Sequence, residues 1–177
     1  MEKTDYDLKS LFKNYGGATR VFKSLDFIFA LGCAILFFCY IKWLNKNDPG
    51  NFAKNLAVDL LNVSASLFAI LFAAFAIILS LSDEKFVKFL TKLKVLDKIL
   101  FPFWLVSILY VINIMLNVIV KFLSPDVAKY VMILSILTFS WAIFGTIYLI
   151  NDTVFFGMRR ADYLEYEKEI KEVTKNK

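Results

Sequence analysis

The sequence predicts an all-α integral membrane protein: four transmembrane helices, both termini cytoplasmic, and short amphipathic helices at the interface. Three observations predict it. Of 177 residues, 59% are hydrophobic, and the mean hydropathy is +0.61, whereas a soluble domain is roughly 45–50% apolar. Four apolar runs each reach the roughly 20 residues needed to cross hydrocarbon. The basic residues lie beside these runs: sixteen of the 21 Lys and Arg fall in the three segments that would share one side, and five in the other two. That bias places the sixteen in the cytoplasm.

Residues 1–25 form a cytoplasmic or interfacial N-terminal segment. Leu8, Leu11, Phe12 and Tyr15 recur at helical spacing with Lys9 and Lys13 between them, which suits an amphipathic helix on the membrane surface or a disordered tail. Gly16-Gly17 then breaks the pattern. The four-helix bundle occupies residues 26–156. Its first span covers about 27–44. It starts behind a long polar segment, and the apolar run continues well past Cys33, so neither signal cleavage nor lipoprotein processing is expected. Cys33 and Cys39 are six apart, on different faces of a helix, and read as buried thiols acting as small hydrophobes.

Residues 45–56, with Asn45-Lys46-Asn47-Asp48-Pro49-Gly50-Asn51, read as a turn. The second span covers about 57–82. Its helix is expected to continue to Leu100 as a basic amphipathic segment, with Lys85, Lys88, Lys92 and Lys94 among Phe86, Phe89, Leu90 and Leu93. Pro102 marks entry to the third span, about 101–123, because Pro is tolerated in a first turn. Ser124-Pro125-Asp126 is a tight turn, and the fourth span covers about 128–156. Residues 157–177 form a charged cytoplasmic tail, expected as a short helix fraying before Asn176.

The second span carries the feature around which a bundle could be organised. Asp59, Asn62, Ser66, Ala69, Ala73, Ala76, Ser80 and Asp83 follow one another at steps of 3 and 4, a stripe of period 3.5. Membrane helices keep small side chains where another backbone comes close. This helix is therefore expected at the centre, its stripe buried against the fourth span or a symmetry mate. On that reading Ala73→Leu separates helices, whereas Ala74→Leu, off the stripe, is near neutral. The fourth span repeats the pattern at Ser135, Thr138, Ala142, Gly145, Leu149 and Asp152.

Polar groups at depth need partners. Asn113, Asn117 and Lys121 lie at i, i+4 and i+8 in the third span. The expected pairs are Asp59 with Lys121, and Asn62 with Asn113 or Asn117. Asp26 and Asp152 bracket the first and fourth spans near Arg20 and Arg159. Such groups form either a polar pathway along the bundle or glue between helices. The sequon Asn62-Val63-Ser64 lies inside a span and is discounted.

No enzyme is expected. The sequence has no histidine, no phosphate-binding glycine loop, no metal-spaced cysteine cluster and no nucleophile elbow. No soluble segment exceeds about 30 residues, too few for a catalytic domain. No catalytic, cofactor or metal residue is assigned. The net charge of +5 is attributed to the anionic inner leaflet rather than to nucleic acid.

The run from Ser66 through Ala69, Ala73, Ala76 and Ser80 to Asp83, followed by basic residues, resembles a span that recurs in small four-helix membrane proteins of prokaryotic operons. Some of these belong to anti-phage defence systems, and the Kiwa membrane-subunit family is similar in size and layout. The resemblance covers roughly residues 57–95 and carries over no functional residue. It implies an oligomeric membrane sensor or effector that works with a cytoplasmic protein partner; independently of it, a homo-oligomer in the plasma membrane is expected. The alternatives are a small ion channel or transporter, and a holin-like or scaffold protein that perturbs or organises membrane.

Overall fold

The computed structural model describes Phe12 and residues 16–43, 49–80 and 96–175. Among these the chain is helical: α1 Gly17–Phe22, α2 Leu25–Trp43, α3 Pro49–Ser80, α4 Leu96–Phe122 and α5 Pro125–Lys175. Stretches of α2, α3, α4 and α5 are each long and apolar enough to cross a membrane, so the chain reads as a multi-pass membrane protein. Leu36, Trp43, Met115, Phe122 and Ile150 stand exposed, as lipid-facing side chains do. The expected amphipathic residues Leu8, Leu11 and Tyr15, and the basic stretch from Lys85 to Lys94, lie outside the described residues.

Gly16 and Gly17 have φ of 117° and 68°, left-handed values that glycine adopts without steric cost. They set the entry to α1. Ser24 then caps α2. Its Oγ accepts from the Phe27 N–H at 3.3 Å and donates to the Val21 carbonyl at 2.8 Å, leaving one fewer orphan amide at the helix start.

Two boundaries differ from the sequence reading. The helix of the second span begins at Pro49, within the stretch read as a turn. Pro fits the first helical position because its missing N–H would have no intrahelical acceptor there. The turn of helix that follows is held by tertiary packing: Ala53 and Ala57 are fully buried in a cluster with Val120, Ala128 and Met132. Gly50 touches the next turn so closely that a Cβ there would lie 2.6 Å from Pro125 Cα and 2.7 Å from its carbonyl oxygen. The helix of the third span begins at Leu96, which puts Pro102 inside the helix rather than at its entry. The helix continues across Pro102 although the carbonyl of residue 98 has no N–H to accept there.

The helix of the fourth span does not end at Gly157. It runs 51 residues, about 75 Å at 1.5 Å per residue, against a hydrocarbon layer of about 30 Å. The charged tail through Lys175 is thus a direct extension of the span.

The centre of the bundle is also not where the small-residue stripe of the second span suggests. The most apolar windows of α4 and α5 are 39% and 33% buried, against 17% each for α2 and α3. α5 packs against α2, α3 and α4. Its stripe faces inward: Ser135, Thr138, Ala142, Gly145 and Leu149 are buried. Gly145 permits the closest approach, since a Cβ there would come 2.6 Å from Val106 Cγ2. On α3 the inward face is Ala53, Ala57, Leu60, Ser64, Leu71 and Ile78. Asp59, Asn62, Ser66, Ala69, Ala73, Ala76 and Ser80 are all exposed. At 100° per residue the two faces of α3 lie about 180° apart. The stripe therefore does not pack against the fourth span of its own chain.

Candidate functional site

The polar residues in the bundle interior come from three helices and converge near mid-span. Asn113 and Asn117 project from α4, Ser135 and Thr138 from α5, and Ser64 from α3. Four of the five are fully buried and Thr138 is 8% exposed. A buried amide costs free energy unless it is paired, so each Asn must reach a neighbouring side chain or the second lone pair of a helix carbonyl.

They do so completely. The Asn113 amide nitrogen donates to the Ser135 carbonyl at 2.7 Å, with Ser135 Oγ and Thr138 Oγ1 each at 3.1 Å. The Asn113 Oδ1 accepts from Ser64 Oγ at 2.7 Å and from the Asn117 amide at 2.9 Å. The Asn117 amide also reaches the Asn113 carbonyl at 2.9 Å, and its Oδ1 accepts from Ser135 Oγ at 2.8 Å. Thr138 Oγ1 lies 3.0 Å from the Ser135 carbonyl.

A second tie lies one layer away. The Tyr110 hydroxyl and Thr146 Oγ1 are 3.0 Å apart, and Thr146 donates to the Ala142 carbonyl at 2.8 Å. Tyr110 is therefore the donor between them.

This arrangement clamps three helices. Both amides are saturated, and none of the five residues carries an ionisable side chain. Apolar layers close it on both sides. One contains Leu71, Phe103, Val106, Leu109 and Ala142; the other contains Ala57, Leu60, Val120 and Met132. Interhelical hydrogen bonds of this kind contribute roughly 0.6–2 kcal/mol each.

The other candidate residues separate from this cluster. Asn62 is exposed, and its expected role as partner of Asn113 is taken by Ser64. Asp59 and Lys121 are both exposed, and among the described residues no ion pair joins them. The expected Asp59–Lys121 pair is thus absent from the protomer. The hydroxyls of Ser66 and Ser80 turn back to their own helix, donating to the carbonyls of Asn62 at 2.9 Å and Ile77 at 2.8 Å. Asp152 is half-buried, one helical turn beyond Tyr148. Arg20, Asp26 and Tyr148 line one cleft at that end of the bundle, whereas Arg159 is exposed. Cys33 and Cys39 are free thiols; Cys33 is half-buried, and Cys39 is exposed rather than buried. Among the described residues no group of three His, Cys, Asp or Glu could hold a metal ion.

Ser64, Tyr110 and Thr146 are the polar contacts that sequence reasoning missed. For Ser64 a signal exists: it continues the spacing Ala53, Ala57, Leu60, Ser64, Leu67, Leu71, the face that points inward. Comparison with family models, curated proteins and solved structures finds no significant match to this chain.

Proposed function

We propose that this chain is a non-enzymatic, self-associating membrane component, a sensor or effector, of a prokaryotic multi-protein system of the anti-phage defence kind. The observation that carries the self-association is the outward stripe of α3. Ala69, Ala73 and Ala76 stand exposed in the middle of a span, between Asp59 and Asn62 at one end and Ser80 at the other. Lipid offers no partner for a carboxylate or an amide, and small side chains are the residues that let helices meet. A second copy supplies both a close backbone and polar partners. The saturated clamp behind that stripe supports a rigid protomer without a polar path through it, and so favours assembly over transport.

The plasma membrane, with both termini cytoplasmic, is the setting, supported by the distribution of basic residues. In that orientation the extension of α5 past Gly157 projects into the cytoplasm, where a partner protein would engage it. The compositional resemblance of residues 57–95 supports the defence assignment.

Disulfide scanning in native membranes tests the association. On a background with Cys33 and Cys39 replaced by Ser, Ala69→Cys, Ala73→Cys and Ala76→Cys are expected to give cross-linked dimers, and Leu71→Cys is not. No cross-link at the three outward positions would overturn the proposal. Thiol labelling at Asn51→Cys and Lys177→Cys tests the orientation, and labelling of Lys177→Cys from outside would refute it.

A further inference from the structure

At the end of the bundle where α2 begins, three elements leave a cleft of about 620 Å³ lined by Gly16, Arg20, Lys23, Ser24, Asp26 and Tyr148, with Leu25 at its lip. The cleft is broad and open to the surface, a shape that takes a headgroup rather than a whole enclosed ligand. The cleft owes its shape to the chain entry. Gly16 carries no side chain, and a Cβ there would come 2.9 Å from Arg20 Cδ, so its backbone leaves Arg20 its place beside the cleft. Ser24 caps α2 and fixes where Lys23 and Asp26 leave the backbone.

Its setting is a membrane boundary. Leu25 opens a candidate span, and Leu25, Ile28 and Phe29 are 70%, 54% and 57% exposed. Ile28 and Phe29 lie one turn from Leu25 on the same face. A charged concavity thus sits directly against an apolar, lipid-facing surface, the arrangement of a phospholipid's headgroup and chains. The charges are of both signs. Arg20 and Lys23 suit a phosphate, Arg through a planar fork of donors and Lys as a point charge. The Tyr148 hydroxyl adds a neutral donor. Asp26 in the same cleft disfavours a headgroup that is only anionic and suits an ammonium.

We propose that this cleft binds the headgroup of an amine-bearing phospholipid, of which phosphatidylethanolamine is the simplest: Arg20, Lys23 and Tyr148 hold the phosphate, Asp26 holds the ammonium, and the acyl chains lie along Leu25, Ile28 and Phe29. The site is independent of self-association, because the α3 stripe contributes none of its lining.

The test is native mass spectrometry of the purified chain in detergent, titrated with phosphatidylethanolamine, phosphatidylglycerol and inorganic phosphate. The wild-type chain is expected to retain phosphatidylethanolamine in preference to phosphatidylglycerol. Lys23→Gln is expected to weaken that binding about tenfold through loss of one charge-assisted contact. Asp26→Asn is expected to abolish the preference between the two lipids. Lys42→Gln, at the opposite end of α2, should leave both unchanged. Equal retention of the two lipids, unaltered by Lys23→Gln and Asp26→Asn, would overturn the site. Displacement of the lipid by inorganic phosphate would overturn the lipid assignment in favour of a free anion. Should Lys23→Gln lose its fold, judged by its melting temperature, the selectivity change in Asp26→Asn decides the question alone.

Discussion

The second and fourth spans carry the same spacing of small and polar residues, yet α5 turns its stripe inward and α3 turns its stripe outward. The difference lies in what occupies the opposite face. On α3 the other face offers Leu60, Leu67, Leu71 and Ile78, large groups that fill the space left by the small residues of α5, with Ser64 placed to meet Asn113. On α5 the opposite face offers Ile147 and Val154, which stand exposed. A small-residue stripe therefore marks where a backbone can come close, and the polar contacts decide which stripe is used inside the protomer. The stripe left over remains open to another copy.

The largest effect should come from the buried stripe. Gly145→Leu places a branched side chain where even a Cβ would press on Val106. The overpacking should cost about 3 kcal/mol or more, read as a lowered melting temperature in detergent. An unchanged melting temperature would mean that α4 and α5 are not held this closely.

Next is the clamp. Asn113→Leu removes the acceptor of Ser64 and the donor to Ser135 and Thr138, and it leaves Asn117 without one of its partners. Stranding buried polar groups should cost about 2 kcal/mol. Ser64→Ala should cost less, and the double variant should fall short of the sum of the two by roughly 0.5–1 kcal/mol. Strict additivity would show that the α3–α4 hydrogen bond contributes nothing.

Much of this architecture was legible in the sequence, for reasons that differ from residue to residue. Hydropathy gave the four spans because a helix that crosses lipid must be long and apolar. Asn113 and Asn117 announced themselves because an amide in an apolar run must find a partner. Ser64 did not, since a serine hydroxyl can bond to its own helix, as Ser66 does with the Asn62 carbonyl. Only the fold distinguishes the serine that crosses between helices from the one that turns back. The start of α3 at Pro49 was hidden for another reason: the local composition is that of a turn, and the burial of Ala53 and Ala57 against α4 and α5 overrides it. The direction of the α3 stripe was hidden because spacing fixes a face and not its neighbour.

That ambiguity makes Ala73 and Ala74 the sharpest pair. The spacing argument expects Ala73→Leu to disrupt and Ala74→Leu to be near neutral. In the fold Ala73 is exposed, whereas Ala74 is half-buried on the side of Leu71 and Ile78, so for the isolated protomer the order reverses. Ala74→Leu should lower the melting temperature, at a cost of about 1–2 kcal/mol. Ala73→Leu should leave the protomer's melting unchanged and reduce its self-association, seen as a smaller species by mass photometry in detergent. If Ala73→Leu changes neither, the outward stripe is an ordinary lipid-facing surface.

The smallest effect is expected at Ser66, in the same outward stripe. Its hydroxyl already donates to the Asn62 carbonyl within α3, so removing it strands no partner on another helix. The carbonyl it leaves keeps its own helical N–H, and an exposed position loses no packing. Ala also has the higher helix propensity, by a few tenths of a kcal/mol. Ser66→Ala should therefore change protomer stability by no more than about 0.5 kcal/mol. Against Ser64→Ala, two residues away, it isolates the contribution of direction, because the side chain and the helix are the same and only the face differs. A loss at Ser66 as large as at Ser64 would mean that its hydroxyl also crosses to a neighbour, and the neighbour available to an outward face is a second copy.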